Sequence, residues 1–335
     1  MPGNLKAFRI KFLLACLWVY TLTLLLYLGN PVNVDRMVWP FRLLDWALPF
    51  TLAISVFFGL LSIRLKRWIL AGLSGVIILA SLWNMRGLWV DGIQNLPANG
   101  RTYTIMTHNA GNGLADPQPL VDVLRNSGAD LIGLQEITAD QANAIDKSLA
   151  GLYPYRIMFG DGIPGKGLLS KFPITNYKQL NLYPDRPDLL ATIQLADAEL
   201  TVIVAHPPPP RLHTDGIYMN AATQQQLYEL IRMATHGGPV LMMGDFNMTT
   251  RSIFYTTLRR MGLIDAFEVA GQGPGFTLPL RWKNIPLLPM ARVDYIWHTS
   301  HLVPLKSWIG ENTGSDHLPV LAQVQWNWGA AQLVH

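Results

Sequence analysis

Apolar residues dominate the first 90 positions of this chain, in three stretches separated by short polar turns. Each stretch approaches the roughly 17–25 residues that a membrane-spanning helix needs. A signal peptide followed by buried core helices is the alternative, but the first stretch is long for a signal peptide and lacks a small-residue cleavage site. The pattern predicts a transmembrane region over 1–90, a bundle of three helices that span about 10–28, 46–63 and 68–85.

Basic residues suggest how these helices are oriented. Lys6, Arg9 and Lys11 precede the first stretch, and the segment "RLKR" at 64–67 separates the second from the third. Because cytoplasmic loops are enriched in Lys and Arg, we expect the N-terminus inside and everything after residue 90 outside. The expectation is a multi-pass protein of the inner or plasma membrane, with an extracytoplasmic domain and the lipid bilayer as a partner. No protein partner is inferred.

Beyond a polar linker at 91–101, the pattern changes to short apolar runs that alternate with helical periodicity. The segment "TYTIMTHN" at 102–109 alternates as a strand does, and 115–128 is a helix with Asp116 as its N-cap. A buried strand at 130–137 and a helix at 138–152 follow. Further strands are expected at 167–174, 189–196, 199–206, 239–247, 291–298 and 318–326, and further helices at 216–235 and 250–262.

Charge and cysteine content restrict the function. The chain has a pI of about 9.1, but residues 1–91 hold nine Lys or Arg against three Asp or Glu, and the rest holds seventeen against nineteen. The larger part therefore lacks the overall positive field on which non-specific nucleic-acid binding relies. Since Cys16 is the single cysteine, this part must be stable without an internal disulfide.

Polar residues stand at the ends of otherwise apolar strands. Alone, each has an ordinary structural explanation: a strand-end Asn caps a turn, a Glu forms half of an ion pair, and a His lies on the surface. Buried polar groups are costly unless they are satisfied, so a whole set at comparable positions indicates one shared cleft. The set comprises Asn109, Glu136, His206, the segment "GDFN" at 244–247, Asp294 and the pair Asp316–His317.

These residues and their order resemble the endonuclease/exonuclease/phosphatase superfamily of metal-dependent phosphoesterases. The resemblance rests on "HNAGNG" (108–113), "LIGLQEI" (131–137), "GLLSKFPI" (167–174), "VAHPPPP" (204–210), "GDFN", "RVDYIW" (292–297) and "SDHLPV" (315–320). It implies that 102–328 is a catalytic domain with a four-layer α/β sandwich, two mostly antiparallel sheets flanked by helices. The N-terminal stretches also look like those of membrane-anchored bacterial members of the family.

The residue types suit phosphoester hydrolysis. A hard divalent cation such as Mg²⁺, or alternatively Mn²⁺, prefers oxygen ligands, for which Glu136 and Asn109 are the candidates. A histidine near neutral pH can activate water, and His317 is the candidate base, oriented by Asp294.

The resemblance implies the remaining roles. Asp245 would orient the attacking water, and Asn247 would donate to the developing negative charge. His206 would contact the phosphate or protonate the leaving oxygen, and Asp316 would be a metal ligand. Lys171 could contact phosphate, although a solvated lysine at a strand end is an equal alternative.

We therefore expect a membrane-anchored, metal-dependent phosphodiesterase of the nuclease type, which acts on nucleic acid or a phospholipid head group. A phosphatase or phospholipase that acts on phospholipids or inositol phosphates is the alternative. A catalytically inactive binding module is a further one, but every expected site position is filled.

Overall fold

The computed structural model describes residues 2–29, 39–84, 101–196, 198–213, 216–278, 281–282 and 285–327. The chain divides into two compact units, Met1–Trp89 and Val90–His335.

The first unit consists of three helices in the apolar stretches of the sequence. They are α1 (Pro2–Gly29), α2 (Trp39–Arg64) and α3 (Trp68–Asn84). Buried Leu17, Leu24, Leu70 and Ile77 lie between them. The Tyr20 hydroxyl donates to the Thr51 carbonyl oxygen at 2.9 Å, which ties α1 to α2.

The prediction of transmembrane helices is wrong: among the residues that the structure describes, none of the helices has both the length and the apolar character to cross a membrane. At about 1.5 Å per residue, the 17 residues of α3 reach about 26 Å, less than the roughly 30 Å of a hydrocarbon core. The predicted multi-pass location, with its extracytoplasmic domain, is wrong with the predicted spans, and the predicted bilayer partner loses the support of these spans.

In its described part, the second unit contains sixteen strands and five helices, which form two stacked sheets with helices outside. The strands up to the middle of the chain are β1 (Thr102–Asn109), β2 (Leu131–Gln135), β3 (Tyr155–Phe159), β4 (Lys166–Ser170), β5 (Ile174–Leu180), β6 (Asp188–Gln194), β7 (Glu199–Ala205), β8 (Arg211–His213) and β9 (Gly216–Tyr218). The later strands are β10 (Val240–Asp245), β11 (Ile264–Asp265), β12 (Arg281–Trp282), β13 (Ile285–Pro286), β14 (Asp294–His298), β15 (Leu302–Ile309) and β16 (Val320–Trp326). The helices are α4 (Pro117–Asn126), α5 (Ala139–Leu149), α6 (Ala221–Ala234), α7 (Ile253–Arg260) and α8 (Ala266–Ala270).

Both large sheets have six strands, in the orders β15-β16-β1-β2-β4-β3 and β11-β14-β10-β7-β6-β5. Each contains one parallel pair, β1 with β2 and β7 with β10, and every other pairing is antiparallel. In each sheet, therefore, the C-terminal ends of the parallel strands lie beside the N-terminal ends of their antiparallel neighbours. This edge of each sheet carries the polar residues described below.

Three apolar layers hold the unit together. The central layer lies between the sheets and includes Ile105, Val204 and Ile296. One outer layer packs α6 and α7 on the second sheet, and the other packs α4 and α5 on the first sheet. Two mixed sheets flanked by helices confirm the α/β sandwich that the sequence indicates.

Candidate active site

The alternation of side chains along the strands brings the polar residues at the strand ends together in one place. Successive side chains of a strand point to opposite faces. Asn109 shares its face of β1 with Ile105, and Asp294 shares its face of β14 with Ile296, both in the layer between the sheets. The register pairs Asp245 with Asp294 directly. The polar ends of both sheets therefore meet at one end of the central layer.

His317 and Asp294 form a buried pair. His317 Nδ1 lies 2.9 Å from Asp294 Oδ2, and its other nitrogen, Nε2, lies 3.8 Å from Asp245 Oδ2. Burial lowers the pKa of His317, but the carboxylates of Asp294 and Asp245 outweigh it and raise the pKa to about 10. The Ser315 hydroxyl accepts from the His317 backbone N–H at 3.1 Å and donates to the Asn109 carbonyl oxygen at 2.8 Å, which fixes the loop that carries His317.

Asp245 is the centre of the cluster. Its Oδ2 accepts hydrogen bonds from the side-chain amides of Asn109 at 3.1 Å and Asn247 at 3.2 Å, and its Oδ1 accepts from the Asn247 backbone N–H at 2.8 Å. Burial raises the pKa of the Asp245 carboxyl. Asn247 adopts φ 51°, a left-handed conformation that Asn tolerates better than most residues, and also donates to the Pro207 carbonyl oxygen. The proline segment after His206 is thereby tied to the site.

Glu136 reaches the cluster through an unusual backbone. It lies one residue beyond β2 at φ 53°, and its backbone N–H donates to Gly165. A non-glycine residue held at positive φ is often found at a functional position. Its side chain keeps 20% of its surface exposed, and Oε1 lies 3.4 Å from His206 Nε2. Burial raises the pKa of the Glu136 carboxyl, and Asp316 contributes in the same direction.

His206 is almost fully buried between Glu136 and Asp245, with Nε2 3.5 Å from Asp245 Oδ2. Asp188, at the start of β6, accepts from the His206 backbone N–H at 2.8 Å and from the side chain of Gln226 on α6 at 2.7 Å. Burial lowers the pKa of His206 well below its ordinary value. The imidazole is therefore held neutral.

Asp316 lies beside the turn that follows β1, next to the cluster. A side chain at Gly111, which adopts φ 70°, would meet Asp316 Oδ1 and Ser315 Oγ at 2.9 Å. The glycine lets the turn after β1 lie close to the "SDH" loop. The Gly111 backbone N–H donates to Asn109 Oδ1 at 2.9 Å, so this oxygen of Asn109 is already engaged.

Lys171 does not join the others. It follows the C-terminal end of β4, whereas the site lies at the N-terminal end of that strand. There it forms an ion pair with Asp130 at 3.0 Å. The structure brings together the other sequence-predicted residues: Asn109, Glu136, His206, Asp245, Asn247, Asp294, Asp316 and His317.

Sequence reasoning missed three charged residues at this edge. Lys166 begins β4 opposite Gln135 of β2 and is 1% exposed. Asp188 begins β6, and Arg186 stands two residues before it. The predicted strands started one residue later, at 167 and 189, so the polar residue that opens each strand was assigned to the preceding loop.

The donor set fits a divalent cation. Around the cleft, the carboxylates of Glu136, Asp188, Asp245, Asp294 and Asp316 outnumber the basic groups of Lys166, Arg186 and His317. Asp294 Oδ1 is buried without a hydrogen-bond partner in the described part of the chain. The ligand atoms of Asp245, Asp294 and His317 lie within 4.8 Å of one another. Hard cations prefer such oxygen-rich surroundings.

Comparison with known proteins gives the site a context. The model of the endonuclease/exonuclease/phosphatase family matches residues 106–317. The YbhP protein of Escherichia coli K12 is 24% identical over 232 residues, which cover 61% of this chain and 87% of that protein.

Solved structures share the fold. An endonuclease/exonuclease/phosphatase protein from Bacteroides vulgatus superimposes with a TM-score of 0.56 at 17% identity, over 68% of this chain and 100% of that one. TDP2 from D. rerio, solved in complex with a single-strand DNA product, superimposes with a TM-score of 0.55 at 18% identity, over 67% and 99% of the two chains. The family match spans more than half of the sequence and all the clustered residues from Asn109 to His317, so this chain belongs to the endonuclease/exonuclease/phosphatase family.

Proposed function

We propose that this protein hydrolyses phosphoesters with the help of a divalent metal ion, Mg²⁺ or Mn²⁺, and that His317 activates the attacking water. The observation that carries the proposal is the 2.9 Å contact between His317 Nδ1 and Asp294 Oδ2. A carboxylate on one ring nitrogen fixes the orientation of the imidazole and aims the other nitrogen at the water. Without a cation, Asp294 and Asp245 raise the pKa of His317 to about 10, so Nε2 is protonated near neutral pH. A divalent cation beside these carboxylates would oppose that shift and free the Nε2 lone pair. In His317 that other nitrogen, Nε2, faces Asp245.

Asp245 orients the water in this proposal. A water molecule that donates one hydrogen to His317 Nε2 can donate its second hydrogen to Asp245 Oδ2, which lies 3.8 Å from that nitrogen. Because the two acceptors hold both hydrogens, the oxygen lone pair points away from them, toward the phosphorus. The Asn247 side-chain amide, which donates to Asp245 Oδ2 and to the Pro207 carbonyl oxygen, stands ready to donate to a phosphoryl oxygen instead.

His206 contacts the phosphate as a hydrogen-bond donor. Burial, together with the charges of Lys166 and Arg186, lowers the pKa of His206. This disfavours the imidazolium that a general acid would supply. Of the two roles that the family resemblance implies, we therefore favour phosphate contact over protonation of the leaving oxygen.

Glu136 and Asp316 are the candidate metal ligands, with Asn109 beside them. Glu136 has a partly exposed carboxylate, and its nearest basic contact is His206 at 3.4 Å. The amide of Asn109 already bonds Asp245 and Gly111, so its share in a metal site would be smaller. A divalent cation held there would offset phosphate charge and polarise the phosphoryl group.

A test compares the purified protein with two variants against an aryl phosphodiester, an aryl phosphomonoester, single-stranded DNA and phospholipid vesicles. We expect turnover of at least one substrate with Mg²⁺ or Mn²⁺, abolished by EDTA and lowered at least about 10²-fold in His317→Ala. Lys171→Gln, at the opposite end of β4, is the matched control and should keep wild-type activity. The preferred substrate would separate nuclease from lipid phosphoesterase, whereas no turnover with either metal would favour an inactive binding module.

A further inference from the structure

We propose that Arg186 and Lys166 form an anion-binding pair in the wall of this cleft, and that the pair binds a dianionic terminal phosphate on the substrate. The inference rests on the proposed function, since it names the substrate class of the same site. It adds a preference for a phosphomonoester end over an internal phosphodiester.

Arg186 has hydrogen-bond donors that no group in the described part of the chain accepts from. Its Nη1 is buried and has no hydrogen-bond partner among the described residues. An unpaired buried donor on a charged group is unfavourable, so such a group is normally completed by water or a ligand. The charges of Glu136 and Asp245 act on the guanidinium against the effect of its burial, which places Arg186 beside the site.

Lys166 is also under-satisfied. Its ammonium group is buried and donates to the Pro164 carbonyl oxygen at 3.1 Å. No second acceptor is within hydrogen-bond reach in the described part of the chain. An ammonium group has three N–H donors, so two are available for a ligand. Buried lysines are rare unless their charge is paired.

Arg292 shows what a structural arginine looks like in the same molecule. Its side chain is buried, Nη1 donates to Asp265 Oδ2 at 2.6 Å, and the guanidinium lies 4.9 Å from the Tyr295 ring centroid and 5.3 Å from that of Phe267. In the described part of the chain, Arg186 forms neither an ion pair nor a contact with an aromatic ring of this kind. The contrast favours a ligand-binding role for Arg186 over a purely structural one.

The two basic groups reach the cleft from different sheets, Lys166 as the first residue of β4 and Arg186 from the segment just before β6. Lys166 opens β4 beside Gln135, the residue before Glu136. Arg186 precedes Asp188, which holds the backbone N–H of His206. Both therefore lie next to the residues that are proposed to contact the phosphoryl group, on the side of Glu136 and His206.

The number of free donors matches a terminal phosphate. An internal phosphodiester has two non-bridging oxygens and one negative charge, whereas a terminal phosphate has three such oxygens and close to two charges at neutral pH. The planar guanidinium can bind two phosphate oxygens at once, and the lysine can bind the third. A simple diester could occupy the Arg186 guanidinium but would leave Lys166 without a third non-bridging oxygen to bind.

The test measures binding, not turnover. Calorimetry with methyl phosphate and with dimethyl phosphate, in Mg²⁺ buffer, compares a dianion with a monoanion in wild-type protein, Arg186→Gln and Lys166→Gln. We expect methyl phosphate to bind at least about 10-fold more tightly than dimethyl phosphate, and Arg186→Gln to weaken methyl phosphate binding about 10- to 100-fold, the effect of losing a charge-assisted hydrogen bond. Arg125→Gln, which removes an exposed arginine paired with Asp122, is the control and should bind as wild type does.

Equal binding of the two ligands, no detectable binding of methyl phosphate to wild-type protein, or unchanged binding in Arg186→Gln would each overturn the proposal. Arg186 precedes the strand, so its variant tests the pair even if the buried Lys166→Gln fails to fold. If a substrate is turned over but the binding of methyl phosphate does not depend on Arg186, the anion-binding pair is contradicted and the proposed hydrolysis is not. Binding that depends on Arg186, without turnover of any substrate, would support the pair and contradict the proposed hydrolysis.

Discussion

His317 and Asp294 come from segments 23 residues apart and meet through a buried contact of 2.9 Å between Nδ1 and Oδ2. Asp294 opens β14 in the second sheet, and His317 stands just before β16 in the first. The pair therefore joins the two sheets at the edge where the other polar residues converge. The proposed chemistry therefore requires that the two sheets are folded and packed together.

Replacing Asp294 with Asn should shift the titration of His317. Burial lowers the pKa of His317, and Asp294 and Asp245 raise it to about 10. Without the Asp294 carboxylate, less negative charge offsets the effect of burial, so the pKa of His317 should fall. Imidazole NMR signals followed from pH 5 to 11 in metal-free protein would measure the change. An unchanged His317 titration in Asp294→Asn would contradict the assigned pairing.

Substituting Glu136 with Gln should weaken metal binding. The amide keeps the size of the side chain but removes its charge, and hard cations bind carboxylates in preference to amides. We expect at least about a 10-fold loss of Mn²⁺ affinity, measured by calorimetry. Glu199→Gln, which changes an exposed residue at the start of β7, serves as the control. Equal Mn²⁺ affinity in Glu136→Gln and wild-type protein would exclude Glu136 as a ligand.

A methyl group at Gly244 should separate the central strands of the second sheet. Gly244 adopts φ 151°, and a Cβ built there would lie 1.9 Å from the Ala205 carbonyl oxygen. Gly244→Ala should lower the free energy of unfolding by about 3 kcal/mol or more, because backbone has to move. Urea denaturation measures this, with Gly151→Ala, which meets nothing within 4 Å, as control. A loss below about 1 kcal/mol would mean that the strands adjust freely.

Acid should destabilise the fold partly through His108. His108 is buried beside Thr313, with 2.8 Å between Nε2 and Oγ1, and burial together with the charge of His317 lowers its pKa to about 3. Below about pH 6.5 the unfolded chain takes up a proton that the folded chain does not, so stability present above pH 6.5 is lost as the pH falls toward 3. The slope for one such group is about 1.4 kcal/mol per pH unit.

His108→Gln should therefore make the free energy of unfolding less dependent on pH between about 6 and 4. Urea denaturation at several pH values measures that slope, and His236→Gln, at an exposed position, should leave it unchanged. If His108→Gln has the same slope as wild-type protein, His108 is not the group that titrates.

The sequence predicts most of the site because its residues obey strand alternation. Asn109, Asp245 and Asp294 stand at the ends of apolar runs, and those runs become strands whose inward faces converge. Lys166 and Asp188 escaped prediction because a strand boundary misplaced by one residue moves its first side chain into a loop. Lys171 was included because it is basic and lies at a strand end, but only pairing direction shows which end of a strand faces the site.

Two further features depend on tertiary structure. The positive φ of Glu136 has no signature in "LQEI", since it arises from the turn that hydrogen-bonds to Gly165. The helices of the first unit form where apolar residues are continuous, but that continuity predicted membrane spans that the described helices do not support. A continuous apolar run therefore predicts that a helix forms, but it does not by itself predict what surrounds the helix.

The most direct test of the account follows the oxygen atom of the water. Hydrolysis of the best substrate would be run in H₂¹⁸O with Mg²⁺, for wild-type protein and His317→Ala, and the products analysed by mass spectrometry. We predict one ¹⁸O in the phosphate product of the wild type, none in the released alcohol, and at least about a 10²-fold slower reaction in the variant. Label in the alcohol, or equal rates in the two proteins, would contradict attack on phosphorus by a water that His317 activates.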